Sequence, residues 1–274
     1  MTFLTVDPAK CNQDGICAAE CPSSVIQMDD PKGVPEATAD APDWCLRCGH
    51  CVAVCPEGAL HLEWLTPEAC VPVDPALNLS SEQAGQFLNS RRSIRTFKKK
   101  VVPRETIQKL IEIACHAPSA KNMQPWHWIV VEDPAEVRRL ASLVIDWIRL
   151  AVKASPDGAA QMGFNRVIEK WEAGEERICR GAPHVIVVHG DKNWAFGTED
   201  GTLALSHLDL FARSLGLGTC WGGYFYTAAN NHPPLSEALS IPDGNRAYGA
   251  MMLGYPRFRY HRIPRRNPPN VTWI

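Results

Sequence analysis

Apolar residues in the last two thirds of the chain recur with the spacing of helices. Ile107, Leu110, Ile111 and Ala114 stand at positions i, i+3, i+4 and i+7, which predicts one buried helix face. Pro103 fits the first position of that helix. Ser80 and Gln83 offer a capping box for a helix that runs to about residue 89. TLALSHLDLFARSLGLG, residues 202–218, reads as a long apolar helix that ends at glycines.

Between these helices lie three short apolar runs that are typical of strands. They are WHWIVVED from Trp126, HVIVVHG from His184 and AYGAMMLGYP from Ala247. Helices and strands mixed in this way predict an α+β domain with helices packed about a sheet. No GxGxxG follows a strand, so a Rossmann nicotinamide site is not indicated.

The first 70 residues differ in composition from the rest. They carry 11 acids and 3 bases, a net charge of −8, and the remaining residues carry 19 acids and 25 bases, a net charge of +6. Pro67, Pro72 and Pro75 disfavour a helix in the segment between the parts and favour an extended, stiff connection. We therefore predict a small domain over residues 1–72 and a larger one over 73–274. The acidic small domain argues against nucleic-acid binding and favours docking to a basic partner.

The chain holds two related cysteine runs. Cys45-x2-Cys48-x2-Cys51-x3-Cys55-Pro56 matches the bacterial iron–sulfur run, in which the fourth cysteine reaches the second cluster of a pair. CNQDGICAAECP, residues 11–22, repeats the run with Asp14 where the second copy has Cys48. Zinc sites usually show two separated cysteine pairs, and disulfides need an oxidising compartment. No signal peptide or long apolar segment precedes the runs, so we expect a cytoplasmic protein without a membrane span.

These paired runs resemble a two-cluster ferredoxin over roughly the first 65 residues. The resemblance implies one ligand set of Cys21, Cys45, Cys48 and Cys51, and a second of Cys11, Asp14, Cys17 and Cys55. Carboxylate is a harder ligand than thiolate and holds a soft cluster iron less firmly. The second site is therefore expected to hold a 4Fe-4S cluster with a labile iron ligated by Asp14. The alternative is that Asp14 faces solvent and the cluster is 3Fe-4S. The cysteines outside the runs, Cys70, Cys115, Cys179 and Cys220, are expected to pack as small apolar groups.

Two polar stretches carry candidate chemistry in the larger domain. SRRSIRTF, residues 90–97, places three guanidinium groups and a hydroxyl within five residues, and guanidinium forks match phosphate oxygens. The alternative for this stretch alone is a solvated basic patch. APSAKNMQPWHW, residues 117–128, offers hydroxyl and amide partners just before a strand, or ordinary turn chemistry.

In this order, the segments resemble the nitroreductase family of flavoproteins over about residues 78–274. The matching motifs are Arg91 to Phe97, Pro118 to Trp126, Gly216 to Trp221, Gly254-Tyr255-Pro256 and the basic run HRIPRR. The resemblance implies an FMN enzyme that works as a homodimer with each flavin in the interface. It also assigns residues to the flavin. Those expected at the phosphate or pyrimidine edge are Arg91, Ser93 and Arg95, with Arg92 supplying backbone. Those expected to contact the flavin from one side are Ser119, Asn122 and Gln124. The backbone of Gly222 and Gly223 is expected to donate to the redox nitrogens, and Arg266, with Arg262 or Arg265, to close on the phosphate.

The resemblance departs in the G-L-G-T-C-W turn, which is followed by Gly222-Gly223-Tyr224 where the family shows Ile-Gly-Gly after the Trp. The implied function is reduction of a small organic acceptor, by default a nitroaromatic, by FMN that receives electrons from the clusters. Reductive dehalogenation, reduction of an activated C=C bond, and electron transfer or flavin storage without a substrate are the alternatives. An external ferredoxin is the expected donor, and no catalytic residue is indicated. Residues 148–179 are where a lid over the flavin is expected, although Phe164, Val167, Ile168 and Trp171 also fit a plain amphipathic helix.

Overall fold

A computed structural model describes residues 2–30 and 33–274 of the chain. The chain divides into two compact units. The N-terminal unit comprises Met1–Asn78 together with Lys121–Met123, and the C-terminal unit comprises Leu79–Ala120 and Gln124–Ile274. The first unit thus extends beyond residue 72, where the composition changes, and takes in a short segment from the later sequence. Within the described residues, no helix is long and apolar enough to cross a lipid bilayer.

Short elements build the N-terminal unit. They are β1 Leu4–Val6, α1 Ile16–Ala19, β2 Ile26–Gln27, β3 Glu36–Ala37, α2 Ala41–Trp44, α3 His50–Ala53 and β4 Leu60–Leu62. β1 pairs antiparallel with β4, and β2 pairs antiparallel with β3. Apolar side chains from these elements, including Leu4, Ile26, Val52 and Leu60, form a small core with Cys17 and Cys51. The cysteine runs are therefore anchored in the core of this unit.

The proline-rich segment after β4 contains two single turns of 3₁₀ helix, Pro67–Ala69 and Pro75–Leu77. A fully extended connection was expected there. Each turn begins at a proline, because the fixed φ of proline suits the first position and no amide donor is needed there.

The C-terminal unit contains eight helices and four strands among its described residues. They are α4 Ser81–Asn89, α5 Arg104–Ala114, β5 His127–Val131, α6 Pro134–Ala154, α7 Pro156–Gln161, α8 Phe164–Glu172, β6 His184–Asp191, α9 Gly197–Ser214, β7 Gly218–Trp221, α10 Gly223–Asn231, α11 Pro233–Ala238 and β8 Asn245–Gly254. The strands form one antiparallel sheet in the order β5-β6-β8-β7. This confirms the predicted α+β class.

Both faces of the sheet are covered, and β6 and β8 are buried at nearly every position. Val185 and Val187 of β6 face a core formed with α6, α10 and α11, and Ile186 and Val188 face a second core formed with α5 and α9. The pairing register between β6 and β8 shifts after Val188, so the hydrogen-bond ladder is irregular near Tyr248. Two helical layers around a central sheet follow from this alternation.

Several predicted elements agree with the structure and others differ. The capping box at Ser80 and Gln83 is present, with α4 ending at Asn89. Pro103 is the N-cap of α5 and not its first residue, as was expected. Helix α9 begins at Gly197, before its predicted start at residue 202. The Gly216–Trp221 segment, expected as a turn, contains strand β7, which pairs with β8. A short strand beside a long buried partner is decided by that pairing rather than by its own sequence.

Candidate functional site

The two cysteine runs adopt the same backbone conformation. Gln13 and Arg47 occupy the same position in the two runs, and both have positive φ, 62° and 51°. Gly15 and Gly49 follow at 68° and 73°, and each is the N-cap of a short helix, α1 or α3. A left-handed residue followed by a left-handed glycine turns the chain sharply. The sequence repeat is therefore also a structural repeat, and Asp14 stands at the position of Cys48.

One cavity of the N-terminal unit, called here the all-cysteine cavity, is lined by Cys21, Cys45, Cys48 and Cys51. Apolar side chains such as Phe3 line the rest of it. Three of its sulfurs come from the second run and the fourth comes from the first run. The crossing that the ferredoxin resemblance implies is thus present in the geometry.

A second cavity, called here the aspartate cavity, is lined by Cys11, Asp14, Cys17 and Cys55. Asp14 is exposed at its edge, and its Oδ1 accepts a hydrogen bond from the backbone amide of Ile16 at 3.1 Å. That bond holds the carboxylate at the start of α1. The structure therefore brings Asp14 to the rim of the cavity rather than into the core.

The donor sets consist mostly of cysteine sulfur, the ligand type that iron–sulfur clusters take. No group of three or more His, Cys, Asp or Glu side chains in the described ranges closes around one metal ion. Backbone amides also donate to sulfur, from Arg47 to Cys45 Sγ at 3.4 Å and from Ala59 to Cys55 Sγ at 3.3 Å. Such bonds are among the contacts by which proteins tune iron–sulfur clusters.

In the C-terminal unit, the Arg91–Arg95 segment lies beside β7. The amide of Ile94 donates to the carbonyl of Thr219 at 2.8 Å. Asp209, on α9, accepts hydrogen bonds from the hydroxyl of Thr219 and from Arg91, the latter at 3.5 Å. Burial raises the pKa of Asp209, while the bonds from Thr219 and Arg91 act to lower it. One buried carboxylate therefore fixes both the strand and the first arginine.

Next to this pair lies a strongly cationic cavity, called here the arginine cavity. Its basic lining residues are Arg91, Arg92, Lys98, Arg213, Arg257, Arg259 and Arg262, and Asp209 is the carboxylate among its lining residues. Such an excess of positive charge favours an anionic ligand. Arg262 lines this cavity and Arg266, on the exposed C-terminal segment, does not.

Arg92 has a role in the structure that differs from the expected contribution of backbone alone. Its Nη1 donates to the carbonyl of Arg91, and its Nε and Nη2 are buried without a hydrogen-bond partner among the residues that the structure describes. A buried cationic donor without an acceptor is costly. An anion in the arginine cavity would supply the missing acceptor, so the residues present fit a phosphate group.

The other flavin candidates divide between two further cavities. Ser93 lines a polar cavity with Thr202, Ser206 and Asp209, called here the serine cavity. Arg95 lines a separate cavity with Gly222 and Gly223, called here the aromatic cavity because Trp147, Phe164, Trp221 and Tyr224 also line it. The segment Arg91–Arg95 therefore spans three neighbouring cavities instead of closing on one point.

The two glycines after Trp221 differ in their hydrogen bonding. The amide of Gly222 donates to the carbonyl of Ala250 at 2.8 Å and is therefore already used. Gly223 is the first residue of α10, where amides have no acceptor within the helix. Of the two expected donors to the flavin, the geometry leaves the Gly223 amide available.

The loop that contains Ser119 and Gln124 is held by a hydrogen bond to α9 and by one within the loop. Asp200, which is 2 % exposed, accepts from the amide of Ala120 at 2.9 Å and from Trp194 Nε1 at 2.7 Å. The hydroxyl of Ser119 accepts from the amide of Gln124 at 2.9 Å. Neither Ser119 nor Gln124 lines the three cavities around Arg91–Arg95.

Asn122 lies in the segment Lys121–Met123, which belongs to the N-terminal unit. Its side-chain amide donates to the carbonyls of Leu46 and Arg47 at 3.3 and 3.1 Å. Lys121, Asn122 and Gln124 all have positive φ, between 46° and 54°. Three such non-glycine residues in one loop are uncommon and often mark a functional segment.

Sequence reasoning missed the carboxylates that hold these segments in place. Asp200 and Asp209 both lie on α9, nine residues apart, and Glu176 holds the loop before β6. An acidic residue inside the long apolar helix pattern is the signal that could have identified Asp209, because charge is rarely buried without a partner. Asp200 lies ahead of that pattern, and no such signal marked it.

Sequence comparison agrees with this architecture. Residues 88–255 match the model of the nitroreductase family, and residues 10–60 match a 4Fe-4S dicluster domain. An NADH dehydrogenase of Thermus thermophilus is 50% identical over 193 residues, which cover 64% of this chain and 88% of that relative. An iodotyrosine deiodinase of Thermotoga neapolitana is 27% identical over 182 residues, covering 64% and 89%. A crystal structure of a nitroreductase with bound FMN from Desulfitobacterium hafniense superimposes with a TM-score of 0.56 at 25% identity, covering 69% of this chain and 96% of that one.

The chain is thus an oxidoreductase that combines an N-terminal 4Fe-4S dicluster domain with a larger catalytic domain. It belongs to the nitroreductase family.

Proposed function

We propose that the chain is an FMN-dependent reductase that passes electrons from two iron–sulfur clusters through FMN to a small organic acceptor, with a nitroaromatic as the leading class. The observation that carries the proposal is the presence, in one chain, of two cysteine-lined cavities and an arginine cavity. In the arginine cavity, Nε and Nη2 of Arg92 have no acceptor in the described part of the chain. The FMN bound by the D. hafniense nitroreductase supports the choice of flavin.

The flavin phosphate belongs in the arginine cavity, against Arg91 and Arg92. Guanidinium groups bind phosphate oxygens in pairs of charge-assisted hydrogen bonds. Arg262 is better placed than Arg266 to close on the phosphate, because it lines that cavity. Ser93 and Arg95 would contact the flavin further along its length.

The redox edge of the flavin belongs near the start of α10. The Gly223 amide is our choice of donor to it, since the Gly222 amide is bonded to Ala250. The N-terminus of α10 also favours negative charge on the reduced flavin. Small residues at this point let the ring approach the backbone closely.

A homodimer with FMN at its interface would account for the candidate flavin contacts that do not line these cavities. Ser119 and Gln124 are apart from the cavities of their own chain, so a second copy would have to bring its loop to the flavin. Sedimentation of the FMN-loaded protein tests this part, and a monomer that retains full FMN affinity would contradict it.

In the N-terminal domain, we assign Cys21, Cys45, Cys48 and Cys51 to a 4Fe-4S cluster. Cys11, Cys17 and Cys55 would hold the second cluster, with Asp14 as a weak fourth ligand or with a vacant corner. Loss of the fourth iron there gives a 3Fe-4S form. Burial raises the pKa of Cys51 to about 11, so cluster assembly must displace the proton of that thiol.

Iron–sulfur clusters pass one electron at a time. A flavin can accept single electrons and release two together, so FMN would connect one-electron transfer with two-electron transfer. A nitro group consumes two electrons and two protons to give a nitroso group and water. An external low-potential one-electron donor, such as reduced ferredoxin, supplies the electrons, and solvent supplies the protons. The acidic dicluster domain would attract a basic face of that donor.

Anaerobic stopped-flow mixing tests the proposal. Reduced ferredoxin should reduce the bound FMN much faster than NADH or NADPH does, and the reduced flavin should then reoxidise on addition of a nitroaromatic. A faster reaction with NADH would overturn the assigned donor. Slow reoxidation with every acceptor would favour an electron-transfer or flavin-storage role.

A second candidate is reductive dehalogenation of an aromatic halide, which the similarity to an iodotyrosine deiodinase favours. In that reaction two electrons and one proton replace the carbon–halogen bond by a carbon–hydrogen bond and release halide. Halide release measured beside nitro-group loss under the same reducing conditions separates the two functions.

A further inference from the structure

The aromatic cavity carries a charge pattern that the flavin assignments do not explain. Its volume is about 380 Å³, within the usual range of small-molecule sites. Trp147, Phe164 and Tyr224 form one wall, with edge-to-face ring contacts at centroid distances of 5.6 and 5.7 Å. Three arginines line it, Arg95, Arg177 and Arg180, and no carboxylate is among its lining residues. The cavity is therefore both aromatic and cationic.

One of these arginines, Arg180, is placed by a carboxylate that lies outside the cavity. Glu176 accepts from the amide of Cys179 at 2.6 Å through Oε1 and from the amide of Gly181 at 2.8 Å through Oε2. Between these two amides, Arg180 is held with φ of 59°. That conformation is costly for a residue with a side chain. The clamp therefore maintains a strained loop, and the strained residue lines the cavity.

The arginines differ in how far their charge is already neutralised. Arg177 pairs with Glu175 at 2.5 Å. Arg180 is half-buried and makes no hydrogen bond or ion pair with any residue in the described part of the chain. A half-buried cation without a partner, held in strained backbone, indicates a ligand of opposite charge. Arg95 is exposed and has been assigned to the flavin.

We propose that the aromatic cavity is the acceptor site and that Arg180 selects aromatic acceptors that carry an acidic group, such as a carboxylate. This inference rests on the proposed function for the reaction, but the binding itself does not depend on turnover. The aromatic ring would lie along the wall formed by Phe164 and Tyr224. The carboxylate would pair with Arg180, and Arg177 would add longer-range attraction. Glu176 acts as a positioning residue, because it touches the loop and not the acceptor.

The experiment compares 4-nitrobenzoate with its neutral methyl ester on the FMN-loaded, cluster-containing protein. Calorimetry on the oxidised protein measures the two dissociation constants, and anaerobic turnover measures the two kcat/KM values. Wild-type protein should prefer the acid by about tenfold or more, the effect of one charge-assisted hydrogen bond. Arg180→Gln should remove most of that preference and leave the ester unchanged. Raised salt should reduce the preference in wild-type protein.

Arg166→Gln is the matched control, because Arg166 is exposed on α8 and lies outside the cavity. It removes the same charge and should leave the preference intact. Glu176→Gln should lower the preference and the affinity less than Arg180→Gln does, because one of two amide acceptors remains. Equal binding of acid and ester to wild-type protein, or equal loss of both in Arg180→Gln, would overturn the proposal. Selective binding of the acid without turnover would refute the reductase function while keeping the site.

Discussion

Replacement of Arg92 by Gln should weaken FMN binding without destabilising the flavin-free protein. Arg92 Nε and Nη2 are buried and have no acceptor within residues 2–30 and 33–274. Each buried donor left without a partner costs about 1–3 kcal/mol. The lost packing and the lost bond to the Arg91 carbonyl offset part of that relief. We therefore expect the stability of the flavin-free protein to be unchanged or raised by up to about 2 kcal/mol.

The holoprotein should respond in the opposite direction. A charge-assisted hydrogen bond to phosphate contributes about 1.5–3 kcal/mol, so the Kd for FMN should rise about tenfold or more. At an FMN concentration of 100 times the wild-type Kd, the flavin stabilises the wild-type protein by about 2.7 kcal/mol. A tenfold weaker variant would gain only about 1.4 kcal/mol under the same conditions.

Quenching of FMN fluorescence gives the Kd, and thermal unfolding with and without FMN gives the gain in stability. Arg166→Gln removes one exposed charge of the same kind and should change neither quantity. An unchanged Kd in Arg92→Gln would refute the phosphate assignment. A flavin-free variant that is less stable by more than about 2 kcal/mol would mean that the guanidinium is structural, whatever happens to FMN binding.

Three further predictions concern other parts of the molecule. Wild-type protein should show a 3Fe-4S signal in electron paramagnetic resonance after mild oxidation, and Asp14→Cys should suppress it. If wild-type protein keeps eight irons in air and shows no such signal, the iron at Asp14 is not labile. Burial lowers the pKa of His184, whose Nε2 accepts from the Val102 amide at 2.8 Å. As the pH falls below about 6.5, the unfolded chain takes up a proton at this histidine before the folded chain does, so the folded state loses stability. Urea midpoints between pH 7.5 and 5.5 should therefore fall less in His184→Gln than in wild-type protein. Gly197→Ala should destabilise the protein by about 1–3 kcal/mol, since its Cβ would lie 2.3 Å from the ring of Tyr248. Gly85→Ala, on the open face of α4, is the control and should not destabilise it. Equal melting temperatures for the two variants would refute the packing argument.

The sequence was most informative where chemistry depends on local spacing. The cysteine runs set which sulfurs lie near one another, because short spacers and left-handed residues such as Gly15 and Gly49 leave the chain little freedom. The apolar runs of β6 and β8 identified buried strands, and the capping box marked the start of α4. These features are encoded within a few residues, so they can be recognised before any fold is known.

Only the tertiary structure decided which candidates meet. Arg91, Ser93 and Arg95 are close in sequence but do not meet at one point. Arg91 and Ser93 share the serine cavity, Arg91 also lines the arginine cavity, and Arg95 lines the aromatic cavity. The amide of Gly222, expected to donate to the flavin, donates to Ala250 of β8. Asp200, Asp209 and Glu176 accept hydrogen bonds from other segments and hold them in place. Hydrogen bonds between segments far apart in sequence leave no local pattern. The sequence by itself therefore determined the cofactor chemistry, and the packing of distant elements determined which residues are free to serve it.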